Sequence, residues 1–106
     1  MFISSKREEL ELFFESKGQV IFGDEELNNI EYKTTNKDYS LKLEIYTYDK
    51  DAYLYIHHKD NSVLTVKVTS VNSVSGDENS LHIAFAGNKS IFVQKKGQCF
   101  EVTEQL

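Results

Sequence analysis

Hydrophobic positions along this chain follow two different periods. Leu10, Phe13, Phe14 and Lys17 stand at i, i+3, i+4 and i+7, which places them on one face of a helix. Ser5-Lys6-Arg7-Glu8 has the spacing of a capping box, and Gly18 suits a left-handed stop. The pattern therefore predicts a helix over Lys6–Lys17. The opposite face carries Glu8, Glu11, Leu12 and Glu15, so one leucine is exposed among acids. Gln19–Phe22 reads as a short strand. Gly23-Asp24-Glu25-Glu26 reads as a turn, capped by Asp24, that enters a brief helical turn.

From Ile30 onward the period is two. Ile30–Thr34, Leu41–Tyr48, Ala52–His58, Val63–Val71, Leu81–Ala86, Ser90–Lys95 and Cys99–Thr103 read as strands. Polar or glycine-containing separators divide them, among them Lys50-Asp51, Asp60-Asn61-Ser62, Ser75-Gly76-Asp77-Glu78 and Lys96-Gly97. Short connections imply antiparallel neighbours, because parallel ones need long crossovers. The expected fold class is α+β in a single domain over residues 1–106. In it an N-terminal amphipathic helix packs on an antiparallel β-meander of about six to seven strands.

A two-residue turn at Lys50-Asp51 sets Ile45 against Ile56 and Thr47 against Leu54. On the other face Tyr48 meets Tyr53, Tyr46 meets Tyr55, and Glu44 meets His57. A three-residue loop at Asp60-Asn61-Ser62 pairs Ile56 with Val66 and Leu54 with Val68, and Lys96-Gly97 pairs Val93 with Phe100 and Ile91 with Val102. The expected core is Leu10, Phe13, Phe14, Ile21, Leu43, Ile45, Leu54, Ile56, Leu64, Val66, Val68, Ile83, Phe85, Ile91, Val93, Phe100 and Val102. The pairing of Gln19–Phe22 and of Ile30–Thr34 stays open, as does the state of Val71–Asn79.

Composition narrows the function classes. The chain has 106 residues and a net charge of −5, with 40% hydrophobic and 27% charged residues, a globular balance. No apolar run approaches the ~18–20 residues of a membrane-spanning helix. Charges follow the first residues at once, unlike a secretion signal, so a cytoplasmic protein that binds no membrane is expected. The lone Cys99 permits no internal disulfide and no thiolate zinc site. Residues 1–31 hold eight acids against three bases, while residues 32–106 balance at nine of each. The net charge therefore resides in the first third. With one arginine and no basic cluster beyond Lys95-Lys96, nucleic-acid binding is not expected.

Little in the sequence resembles catalytic chemistry. His57 and His58 are adjacent, so on a strand they point to opposite faces, and no histidine has metal-ligand spacing. Glu44 opposite His57 could orient a general base, but no nucleophile or phosphate cradle accompanies them, and an exposed cross-strand pair accounts for both. No enzyme, metal or cofactor is expected. The tyrosines are more telling. All six lie between Tyr32 and Tyr55, and all seven phenylalanines lie outside that window. Tyr46, Tyr48, Tyr53 and Tyr55 on one sheet face would offer large, stiff contact area with polar tips. Ordinary stabilisation of a half-exposed sheet would use the same residues.

These features together suggest a small acidic protein-binding inhibitor. The expected type is an immunity or antitoxin protein that occludes the active site of a basic, nuclease-like toxin. Glu8, Glu11, Glu15, Glu25 and Glu26 would steer the encounter. Tyr46, Tyr48, Tyr53 and Tyr55, with Glu44 and His57, would anchor it. The protein itself would be a monomer or a weak homodimer. The rival readings are a ligand-binding domain or minor enzyme, with a pocket between helix and sheet rimmed by His57 and Glu44, and a homo-oligomeric module.

Overall fold

The structure, a computed structural model, describes residues 3–21 and 29–106. Among the described residues, ten strands and one helix follow in the order β1 (Ser4–Ser5), α1 (Arg7–Phe14), β2 (Gln19–Val20), β3 (Ile30–Asn36), β4 (Tyr39–Tyr46), β5 (Asp51–His58), β6 (Asn61–Val68), β7 (Val71–Gly76), β8 (Ser80–Phe85), β9 (Lys89–Lys96) and β10 (Cys99–Gln105). They form two five-stranded sheets rather than one meander. Sheet A runs β1-β7-β8-β9-β10 and sheet B runs β2-β3-β4-β5-β6. The fold is mostly β with one short helix, which corrects the expected helix on a single meander.

The division has a local cause. The strand expected over Val63–Val71 breaks at Ser70, whose φ of 55° turns the chain from sheet B to sheet A. A left-handed serine costs backbone strain, and neither glycine nor proline marks the position. The segment left open, Val71–Asn79, begins with β7. All consecutive pairings are antiparallel, and β1 pairs parallel with β7 through Ser4↔Ser73 and Ser5↔Val74.

Alternate residues of both sheets enter one core. Leu41, Leu43, Ile45, Leu54 and Ile56 come from sheet B, and Val74, Leu81, Ile83, Ile91 and Val93 from sheet A. The helix adds Leu10, Phe13 and Phe14, and lies against β3, β7 and β8, so it touches both sheets. Phe14 stacks on Tyr32 at 5.3 Å and meets Phe13 edge-on at 5.0 Å. Tyr32 is thus a core residue and not part of an exposed tyrosine set. Leu64, Val66, Phe85, Phe100 and Val102 are only partly buried, while Ile3, Leu41, Ala52, Val71, Val74 and Leu81 join the core unanticipated.

The helix is shorter than its periodicity suggested. Lys6 is the N-cap, and its carbonyl accepts from the Glu9 and Leu10 amides. No side-chain cap forms, because Ser5 is drawn into β1. Glu15, with φ of 54°, ends the helix, so Lys17 and Gly18 lie beyond it. Gly18 serves packing instead. A Cβ there would lie 2.7 Å from both Ile30 Cγ2 and Tyr32 Cζ.

The registers differ from expectation while the faces do not. In β4–β5 Leu43 opposes Leu54, Ile45 opposes Ala52 and Tyr46 opposes Asp51, a slip of four residues. In β5–β6 Leu54 opposes Val66 and Ile56 opposes Leu64, with a bulge where the strand reaches Ser62. In β9–β10 Val93 opposes Val102 and Lys95 opposes Phe100. Each slip moves whole pleats, so apolar and polar residues keep their sides.

Candidate partner-binding surface

The outer face of sheet B carries the tyrosines. Alternation along β4 turns Leu41, Leu43 and Ile45 inward, which leaves Lys42, Glu44 and Tyr46 on the outer side. The same rule on β5 places Tyr53, Tyr55 and His57 outward. Rungs across the sheet then read Glu31–Glu44–Tyr53–Lys67 and Lys33–Lys42–Tyr55–Thr65. Tyr46 meets Tyr53 edge-on at 5.5 Å, and Tyr53 stacks with Tyr55 at 6.3 Å. The three rings form a continuous platform through diagonal and same-strand contacts, not through the directly opposed pairs the sequence suggested.

Glu44 organises the centre of this platform. It accepts hydrogen bonds from the Tyr55 hydroxyl at 3.2 Å and the Tyr46 hydroxyl at 3.4 Å, and pairs with Lys42 at 3.7 Å. Burial, and next the Glu44 charge, push Tyr46 up to about 12 and push Tyr55 upward. Both phenols therefore stay protonated and able to donate at neutral pH. Lys42 Nζ lies 4.5 Å from the Tyr55 ring centre and Lys67 Nζ 5.6 Å from that of Tyr53, giving two cation–π contacts. Lys33 pairs with Glu31 at 3.0 Å. Like charges oppose across these rungs and opposite charges pair along the strands, so Lys33, Lys42, Glu31 and Glu44 compensate one another.

Tyr48 and the pairing of His57 depart from the expectation. Tyr48 lies in the turn over residues 47–50, 58% exposed, and not on the sheet face. His57 opposes Ser40, and Glu44 opposes Tyr53, so the expected Glu44–His57 pair does not form. His57 instead joins Lys33, Thr34, Thr35, Ser40, Leu41 and Lys42 around a shallow hollow of about 280 Å³. His58, on the inner side, packs on Tyr39 at 4.6 Å, and His82 stacks on Phe92 at 4.4 Å and bonds Ser90 at 2.9 Å.

The acids of α1 form a second region. Glu8 is exposed, Glu11 lies 3.9 Å from Arg7, and Glu15 pairs with Lys95 at 3.5 Å. Glu11 and Glu15 line a hollow of about 480 Å³ with Leu12, Glu78, Asn79 and Lys95. Leu12 is 53% exposed there, as its position among acids implied. Glu25 and Glu26 lie outside the described residues. A third hollow, lined by Phe14, Glu15, Ser16, Lys33, Thr34 and Thr35, shares Glu15 with the acidic one and Lys33, Thr34 and Thr35 with the hollow beside His57. Glu15 and His57 thus border hollows that share Lys33, Thr34 and Thr35 of β3.

Sequence reasoning passed over Lys42 and Lys67. For Lys42 the signal was the parity of Lys42-x-Glu44-x-Tyr46, which holds in any register.

In comparisons with known proteins, no family model and no curated protein matches the chain. Among solved structures, it is similar to a chain of the contact-dependent growth inhibition toxin–immunity protein complex from Klebsiella pneumoniae 342. The TM-score is 0.78 at 16% identity, over 99% of this chain and 98% of that one. A likeness of that extent at so low an identity shows that the two chains share a fold from end to end.

Proposed function

We propose that this chain is the inhibitor half of a toxin–immunity pair. It is a small non-enzymatic protein that binds a basic, nuclease-like toxin in the cytoplasm and covers its active site. The observation that carries this reading is the whole-chain likeness to a member of a toxin–immunity complex. The charge distribution supports it. A net charge of −5 attracts a protein whose cleft is built for phosphate, and the acids of α1 speed that encounter. The tyrosine platform supports it as well, since stiff aromatic side chains held by a half-buried hydrogen-bond centre make good affinity anchors. Tyr46, Tyr53 and Tyr55 anchor the toxin, Glu44 holds two of their hydroxyls, and His57 sits at the margin. Glu8, Glu11 and Glu15 steer.

The test is capture from the source cell with elution along a salt gradient, followed by expression of the captured protein. A stoichiometric basic protein that arrests growth when expressed alone, and permits growth when this chain is co-expressed, establishes the pair. Growth arrest that co-expression does not relieve refutes it.

A further inference from the structure

The two sheets have four outer edges, and the fold treats them unequally. The edge of β7 is closed by β1 and by Glu9, whose carboxylate accepts from the Gly76 amide at 3.0 Å. The edge of β3 is closed by β2 and by Ser16, whose hydroxyl donates to the Lys33 carbonyl at 2.8 Å. Among the described residues, no strand pairs with the outer edge of β6 or of β10. An open edge offers a row of backbone donors and acceptors to any other strand, and sheets discourage this with charges, prolines or bulges. On β10, Glu101 and Glu104 are exposed charges of this kind. The eight residues of β6 carry a single charge, Lys67, and no proline. The bulge falls at its start and leaves Leu64–Val68 regularly paired with Ala52–Ile56.

We infer that β6 is a self-association edge on which a second copy of this chain adds its own β6, antiparallel, with Thr65 facing Thr65. The strand is its own complement in that register. Leu64 then faces Val66 of the second copy on the inner side, where both are only partly buried in the single chain. Val63, 57% exposed, faces the aliphatic stem of Lys67. Centring the pair on Lys67 instead would oppose two ammonium groups, so charge disfavours that register. The outer faces of both copies lie on the same side, and the rung Lys42–Tyr55–Thr65 continues into its symmetry mate. One strand pair is a small contact, so the association is weak and concentration-dependent.

Sedimentation equilibrium of the wild-type protein over a wide concentration range tests this. The expected result is an apparent mass rising toward twice the monomer value. Thr65→Lys, at an exposed position, should weaken association about tenfold or more. In a Cys99→Ser background, Thr65→Cys should form an intermolecular disulfide under mild oxidation, whereas Glu101→Cys on β10 should not. A wild-type protein that stays monomeric at millimolar concentration overturns the inference, as does equal crosslinking through residue 101. Toxin binding is scored separately with the same Thr65→Lys protein. If that substitution leaves self-association intact but abolishes toxin binding, the edge belongs to the toxin and the inference fails while the inhibitor reading stands.

Discussion

Tyr55 lies diagonally across from Glu44 on neighbouring strands, and its hydroxyl donates to that carboxylate at 3.2 Å. The bond fixes the ring's polar tip while Lys42 lies over its face. A side chain held in this way loses little freedom on binding, which is the property of an affinity anchor. Under the proposed function, Tyr53→Ala and Tyr55→Ala should each weaken toxin binding by about 2 kcal/mol or more, mostly through faster dissociation. Surface plasmon resonance measures both rates. Unchanged affinity in both variants, together with loss of binding in Glu11→Lys, would move the anchor to the helix.

Under the proposed function the acids of α1 act at longer range. Glu8→Lys and Glu11→Lys should slow association several-fold and flatten its dependence on ionic strength, while dissociation stays near the wild-type rate. Stopped-flow association at a series of salt concentrations reads this. Equal slowing at high and low salt would show that these residues make direct contacts.

The tyrosine hydroxyls make stability depend on alkaline pH. Tyr46 is raised from 10.0 to about 12 in the folded protein, and Tyr55 is raised as well. Between these values the folded state holds more protons than the unfolded one, so stability falls as pH rises. The contribution is fully present below about pH 10 and is lost as pH climbs toward 12. Ultraviolet absorbance of tyrosinate should show a late-titrating class. Glu44→Gln should move that class part of the way back only, since burial is the larger cause.

Core packing sets the remaining tests. Gly18→Ala brings a Cβ within 2.7 Å of Ile30 and Tyr32 and should cost about 1–3 kcal/mol. Phe14→Ala empties the ring site between Phe13 and Tyr32 and should cost about 3–5 kcal/mol. Urea midpoints measure both. A Gly18→Ala protein as stable as wild type would mean that the Tyr32 ring moves aside freely.

Faces were legible in the sequence, and registers were not. Alternation alone sorted Leu41, Leu43 and Ile45 from Lys42, Glu44 and Tyr46, because the pleat has a period of two. The β4–β5 register depended on distant residues. Thr47 leaves the strand because its amide donates to the buried side chain of Asn29 at 3.1 Å and its carbonyl accepts from Ile3 at 3.1 Å. Lys50 then takes a φ of 60°, which no residue type announced. Ser70 hid the second sheet in the same way. Ser5 and Glu8 had the right spacing for a cap, yet Ser5 pairs with Val74 instead. Tertiary contacts overrode local preference at each of these positions. The tyrosine platform survived because diagonal contacts need only the face, not the rung.

The closure of β7 by β1 also governs when the fold can be completed. Ser4 and Ser5 leave the ribosome long before Ser73 and Val74, with all of sheet B synthesised between them. The parallel pairing that seals sheet A must therefore wait for β7, and loop closure over that span is slow compared with hairpin formation. Sheet B can assemble from successive hairpins in the meantime. The nascent chain can thus acquire the face bearing Tyr46, Tyr53 and Tyr55 before Ser4 and Ser5 meet β7.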